Sequence, residues 1–203
     1  ITPMLAFAHE LHRQGRPFDL HYSVPSRASA AFLQRLQDSP FADHVHLHIS
    51  DEGSRADFAA IFSRSGPPEA GWHIYSCGPD AYMEAIDTAA AEAGFAEENR
   101  HKEYFSVPET PERENHPFTL RLARSEKTIQ VAADERPTDA LLAAGVAVDV
   151  KCSDGLCGVC KCDLVSGEVD HRDFVLSAKQ RETSLILCQS RAAEKDGLLE
   201  IDL

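Results

Sequence analysis

Residues 151–162 read KCSDGLCGVCKC, and four of the chain's six cysteines lie within this stretch. The spacing is Cys152-x4-Cys157-x2-Cys160, and Cys188 follows after 27 intervening residues, within LILCQS (185–190). Gly155 and Gly158 lie between these cysteines and let the chain bend sharply. Disulfides are disfavoured, because the cysteines crowd one loop and no secretory context accompanies them.

Two metal readings compete for the four thiols. Structural zinc usually takes paired C-x2-C knuckles, and the loop offers one such pair. A [2Fe–2S] cluster takes C-x4-C-x2-C and a distant fourth cysteine, which is the spacing found here. Two irons need four thiolates around them, so a wrapping loop supplies three and a later strand the fourth. The glycines let backbone N–H groups approach the sulfides. The cluster reading is preferred, with Cys152, Cys157, Cys160 and Cys188 as ligands, and zinc stays as its alternative. Cys162 lies beyond the motif, where the chain turns into a strand, and is expected to be a buried free thiol.

Around the loop, FTLRLA (118–123) and TIQVAA (128–133) predict a hairpin, and PTDALLAAG (137–145) a short helix stopped by Gly145. CDLVSGEVD (162–170), LILCQS and LLEIDL (198–203) read as strands. A small sheet with one packed helix is an α+β pattern. Upstream, SVPETPERENHP (106–117) has three prolines and little apolar content, as an extended linker does. The expected organisation is a first domain over 1–107, a linker over 108–117 and a second domain over 118–203. KCSDGLCGVC followed by LILCQS resembles a plant-type ferredoxin domain of the β-grasp kind, over about residues 117–203.

The first half alternates helix and strand. Thr2 is positioned to cap a helix with Pro3 at its first turn, and apolar residues recur through Leu5, Phe7, Ala8 and Leu11. Strands are predicted at PFDLHYS (17–23), VHLHIS (45–50) and HIYSC (73–77). Helices are predicted over 28–36, over 58–62 and over 82–93, the last ended by Gly94. This alternation predicts a parallel α/β sheet, which binds ligands at the carboxyl ends of its strands. In HIYSCGPDAYM (73–83) a strand runs into Cys77-Gly78-Pro79 and then a helix. Cys77 is placed where a nicotinamide approaches; an ordinary strand–helix turn with a buried cysteine explains the same residues.

ITPM (1–4), then the CGP turn, then KEYF (102–105), then the ferredoxin-like segment resemble in order the reductase components of phthalate dioxygenase and vanillate demethylase, across all 203 residues. That family joins an FMN-binding barrel, an NADH-binding α/β domain of the ferredoxin-reductase type and a C-terminal [2Fe–2S] domain. The resemblance implies electron flow from NADH to FMN to the cluster and on to a terminal oxygenase acting on an aromatic acid. It places Thr2 and Pro3 at the end of the pyrophosphate loop. Cys77, Gly78, Pro79 and Met83 fall at the nicotinamide turn, and Ser23 and Arg27 at the adenosine ribose. Arg27 is also suited to a 2′-phosphate, which would mean NADPH. Phe105 matches an aromatic that packs near the flavin, with Cys77 as its partner in framing hydride transfer; a core aromatic at a strand end is the bland reading. In the family ITPM follows a GGIG turn and a central strand. Neither occurs here, so the chain is expected to be a C-terminal piece of a longer reductase, inactive without its FMN domain.

Composition narrows the partners. The net charge of −13 argues against nucleic acid and anionic membranes. No apolar run approaches the roughly 20 residues of a membrane span, and no secretory signal is visible. A cytoplasmic monomer is expected. His44, His46 and His48 alternate in HVHLH (44–48), which suits a half-exposed strand better than zinc. The segment 92–103 carries mixed charge and is expected to be a solvated surface. A ferredoxin-like electron carrier whose nucleotide half serves only as a docking platform is the alternative function.

Overall fold

The computed structural model describes residues 1–64 and 71–203. The chain divides into two compact units, Ile1–Glu103 and Tyr104–Leu203.

In the first unit, α1 (Thr2–Arg13) is followed by β1 (Leu20–Val24), α2 (Leu33–Gln37), β2 (Val45–Ile49), α3 (Phe58–Arg64), β3 (Ile74–Cys77), α4 (Asp80–Glu92) and β4 (Arg100–Glu103). Helix α1 carries a proline in its first turn and His12 and Arg13 in its last, both favourable to the helix dipole. Its N-cap is Ile1, so Thr2 lies inside the first turn and makes no cap. The predicted helix over 28–36 is instead a 3-10 turn, Arg27–Ser29, and then the short α2. A capping box between Ser26 and Ser29 fixes that turn. The mixed-charge segment 92–103 is mostly exposed, and it ends in β4, a part-exposed strand.

Strands β1 and β2 pair in parallel, as do β3 and β4. Among the described residues the two pairs are not hydrogen-bonded to each other. A cleft of about 400 Å³ is lined by Leu20 and His21 of β1, Tyr75 and Cys77 of β3, and Met4 and Phe7 of α1. Two small cores hold this unit. One gathers Leu5, Ala8, Leu20, Leu36 and Phe41; the other gathers Phe62, Ala90 and Phe95.

The second unit contains β5 (Phe118–Leu122), β6 (Thr128–Val131), α5 (Pro137–Ala143), β7 (Lys161–Ser166), β8 (Val169–Asp170), α6 (Ala178–Arg181), β9 (Ser184–Ile186), β10 (Arg191–Ala192) and β11 (Leu198–Ile201). Five strands form a mixed sheet in the order β6-β5-β11-β7-β9, with β5 and β11 parallel and the other pairs antiparallel. Alternation decides which face is buried: Phe118, Leu120 and Leu122 of β5 point inward, as do Leu199 and Ile201 of β11. Leu141 of α5 joins them, and each such side chain contributes about 1.5–3 kcal/mol by leaving water. Gly167 turns the chain after β7 at φ +109°, and a Cβ there would lie 2.3 Å from the Leu198 carbonyl oxygen, so glycine is required.

Arg191 is buried in this unit. It donates to the carbonyls of Glu135, His116 and Ala132 and lies 5.0 Å over the Phe118 ring. The segment 104–117 has no regular element. Its later part is tied down, since Arg113 donates to Asp170 and to the His171 carbonyl, while Arg172 donates to Asn115 and to the Glu114 carbonyl.

Candidate functional site

The cysteine loop sits between α5 and β7. Its bends are supplied by Gly155 and Gly158, at φ +73° and +71°. A Cβ on Gly155 would meet the Gln189 side chain at 3.1 Å and the Asp173 backbone at 3.2 Å, so the loop is pressed against the segment that follows β8. The contact is reinforced by the Phe174 N–H, which donates to the Gly155 carbonyl at 3.1 Å, and by the Gln189 amide, which donates to the Ser153 carbonyl at 2.7 Å. Asp173 organises that neighbour. Its carboxylate is fully buried and accepts from the N–H groups of Val175 and Leu176, with Arg181 Nη2 3.7 Å and His171 Nδ1 3.8 Å away.

The four cysteines of the spacing are brought together in two neighbouring pairs, Cys152 beside Cys157 and Cys160 beside Cys188. Cys160 and Cys188 are buried in the core of the sheet, Cys152 is partly buried and Cys157 is exposed. The set therefore runs from the protein interior to its surface. Backbone N–H groups aim at the sulfurs. Burial raises the Cys152 thiol, but the N–H groups of Asp154, Leu156 and Cys157 outweigh it and bring the thiol down to about 7. Cys160 is lowered to about 6 by the hydrogen bond from Cys188, against burial and with the N–H groups of Cys188 and Leu187. Cys188 is raised in return, because it holds the proton of the pair, although the Gly155 N–H also points at it. Thiols met by this many N–H donors are prepared to be thiolates, and so fit an anionic iron–sulfur group. Among the described residues no group of three or more His, Cys, Asp or Glu side chains is arranged for a single metal ion. Cys162 lies outside the set. It is buried, bonded to the Asp163 carbonyl, and pushed up to about 11 by burial and the Asp163 charge.

In the first unit the expected residues fall at two places. Cys77 is the last residue of β3 and is partly buried, and burial raises its thiol. Phe7 of α1 has its ring 5.0 Å from that of Tyr75, so α1, which opens with Thr2 and Pro3, runs along the strand that leads into the Cys77-Gly78-Pro79 turn. Gly78 is packed under Tyr82, whose ring would lie 3.2 Å from a Cβ. Met83 is buried at 1% exposure, so it supports the turn from below and offers no surface to a ligand, contrary to the sequence expectation. Phe105, at the start of the second unit, is 69% exposed, which excludes the core-aromatic reading.

The second place lies at the carboxyl ends of β1 and β2. The Tyr82 hydroxyl donates to Ser23 Oγ at 2.9 Å and so ties β1 to the CGP turn. Arg27 makes a two-pronged ion pair with Glu52, Nε to Oε1 at 2.5 Å and Nη2 to Oε2 at 2.9 Å. Tyr82 is not singled out by the sequence, whereas the pair Asp51-Glu52 reads as a strand-end loop on the adenine side, without a link to Arg27. His44 lies in a turn before β2 rather than on the strand, with its ring tilted against that of Phe18. Its place beside His46 and His48 is taken by His21 of β1, whose Nδ1 is 3.0 Å from His48 Nε2.

Comparison with known proteins agrees with this geometry. Residues 120–193 match the 2Fe-2S iron-sulfur cluster binding domain. The whole chain aligns at 34% identity with 63% of the vanillate O-demethylase oxidoreductase of Acinetobacter baylyi, and at 42% with 61% of the phenoxybenzoate dioxygenase subunit beta of Ectopseudomonas oleovorans. The crystal structure of phthalate dioxygenase reductase, described as a modular structure for electron transfer from pyridine nucleotides to [2Fe-2S], matches all of this chain with 62% of its own. The identity is 35% and the TM-score 0.55. Over its whole length the chain is similar to phthalate dioxygenase reductase and related reductase components. It spans about three fifths of the length of the curated relatives it matches. The second unit is a [2Fe–2S] ferredoxin-type domain, and the first has the reductase-type nucleotide-binding fold. No described helix is long and apolar enough to cross a membrane.

Proposed function

We propose that the chain is the nucleotide- and cluster-bearing part of a reductase component, a cytoplasmic monomer that carries electrons from NADH through FMN and a [2Fe–2S] cluster to a terminal oxygenase acting on an aromatic acid. The observation that carries this reading is the meeting of four spaced cysteines and converging N–H groups in one unit, with the CGP turn at a strand end in the other. When bound, FMN takes electrons from NADH as a pair and the cluster carries them singly. Cys152, Cys157, Cys160 and Cys188 hold the cluster, and Cys157 is its exposed side, where an electron leaves for the partner. Thr2 and Pro3 open the helix N-terminus that favours the pyrophosphate. Cys77, Gly78 and Pro79 shape the nicotinamide end, Ser23 and Arg27 the adenosine ribose, and Phe105 stands exposed for the flavin. The functional boundaries are 1–107, 108–117 and 118–203. The cleft between the strand pairs suits one further parallel strand, as the family's longer members supply.

An anaerobic reduction tests the scheme. NADH added to the cluster-loaded chain is expected to leave the cluster colour unchanged, while a free reduced flavin bleaches it and the reduced protein then reduces cytochrome c. Rapid bleaching by NADH alone would contradict the flavin step. A bleached protein unable to reduce cytochrome c would contradict the carrier role.

A further inference from the structure

Arg27 and Glu52 are 25 residues apart in sequence but share one geometry. Arg27 opens the 3-10 turn after β1, and Glu52 closes the 3-10 turn Ser50–Glu52 after β2. The two turns are joined by the Asp51 N–H, which donates to the Pro25 carbonyl at 3.0 Å. Ser26 and Ser29 cap one another and keep Arg27 from swinging away. The ion pair is thus built on two fixed turns, at the strand ends where an α/β sheet takes the ribose of a nucleotide. Such sites use an acid for a free 2′-hydroxyl or an arginine for a 2′-phosphate. This one holds both, and the acid occupies the arginine's fork through both of its oxygens.

We infer that Glu52 sets the choice of nucleotide: it engages the Arg27 guanidinium and places a carboxylate beside it, so that a nucleotide with a free 2′-hydroxyl is accepted and one with a 2′-phosphate is refused. This rests on the nucleotide reading of the first unit and adds the residue that discriminates. The refusal has two parts. A 2′-phosphate would have to displace Glu52 from Arg27, and it would meet the displaced carboxylate as a like charge. Both side chains are about half exposed, so the pair itself adds little stability and its loss leaves the fold intact. Its effect is on which anion reaches Arg27.

The test is calorimetric binding of ADP-ribose and of 2′-phospho-ADP-ribose to the full chain. The wild-type protein is expected to prefer ADP-ribose. Glu52→Gln is expected to tighten 2′-phospho-ADP-ribose by roughly tenfold relative to ADP-ribose, as removal of one close like charge allows. Adding Arg27→Ala to Glu52→Gln is expected to abolish that gain. A wild-type preference that Glu52→Gln leaves unchanged would overturn the inference alone. Failure of the wild-type chain to bind either compound would overturn the nucleotide reading and the inference with it.

Discussion

The two units solve the problem of the strand edge differently. In the second, β5 and β11 lie at the centre of five strands and are flanked on both sides, and one continuous core runs from Phe118 to Ile201. In the first, β1 and β3 each have one partner among the described residues, a cleft opens along both, and the apolar residues divide between two small cores. A sheet whose central strands are paired on both sides can bury cysteines and hold them rigidly, which a cluster needs. Paired strands flanking a cleft leave their carboxyl ends and backbone edges open, which suits a site that exchanges a nucleotide and takes up further structure.

The sharpest test of the five-stranded sheet is Gly167→Ala. A methyl there collides with the Leu198 carbonyl and the Leu199 side chain at a backbone angle that disfavours alanine. The expected loss is about 4 kcal/mol in the second unit's unfolding free energy, with no change in the first, read by denaturant titration. Arg191→Leu comes next. It removes the buried side chain that donates to three backbone carbonyls, and about 3 kcal/mol is expected to be lost in the same measurement. Native-state hydrogen exchange compares the units directly: amides of β1 and β3 are expected to exchange at least roughly tenfold faster than those of β5 and β11, because an edge with few buried contacts opens at lower cost. Equal protection would dissolve the contrast.

The smallest effect is the acid sensitivity that His21 gives the first unit. Burial, with His46 and His48 beside it, pushes His21 down to about 4, below its ordinary 6.5. Below about pH 6.5 the unfolded chain takes up a proton that the folded chain refuses until about pH 4. Stability present above that window is therefore lost as pH falls through it. His48 and His101, both lowered chiefly by burial, act in the same direction. His21→Phe is expected to flatten the acid side of the first unit's stability profile and leave the second unit's unchanged.

Much of this could be read from the chain. The cysteine spacing marks the loop, hydrophobic alternation marks β5, β6 and β11, and Gly94 and Gly145 mark helix ends, because each is a local rule written in consecutive residues. What escaped depends on pairing at a distance. Arg27 reads as a candidate phosphate ligand until Glu52 is seen to hold it. Met83 reads as a ligand contact until the first turn of α4 is seen to bury it. β4 is spelled RHKE, and a strand of charged residues carries no apolar alternation, so its register against β3 is visible only in the fold. The organising carboxylate of Asp173, next to His171 and Arg172 in a polar run, has no signature at all.

The proposed function stands or falls on four particular sulfurs, and not the fifth beside them, holding a [2Fe–2S] cluster. Iron and acid-labile sulfide analysis with visible spectra, on the wild-type protein, on Cys152, Cys157, Cys160 and Cys188 each changed to Ala, and on Cys162→Ala, tests it. Expected are two irons and two sulfides per chain, loss of the cluster spectrum in each of the four variants, and its retention in Cys162→Ala. A colourless wild-type protein containing zinc, or a spectrum that survives Cys188→Ala and vanishes with Cys162→Ala, would overturn it.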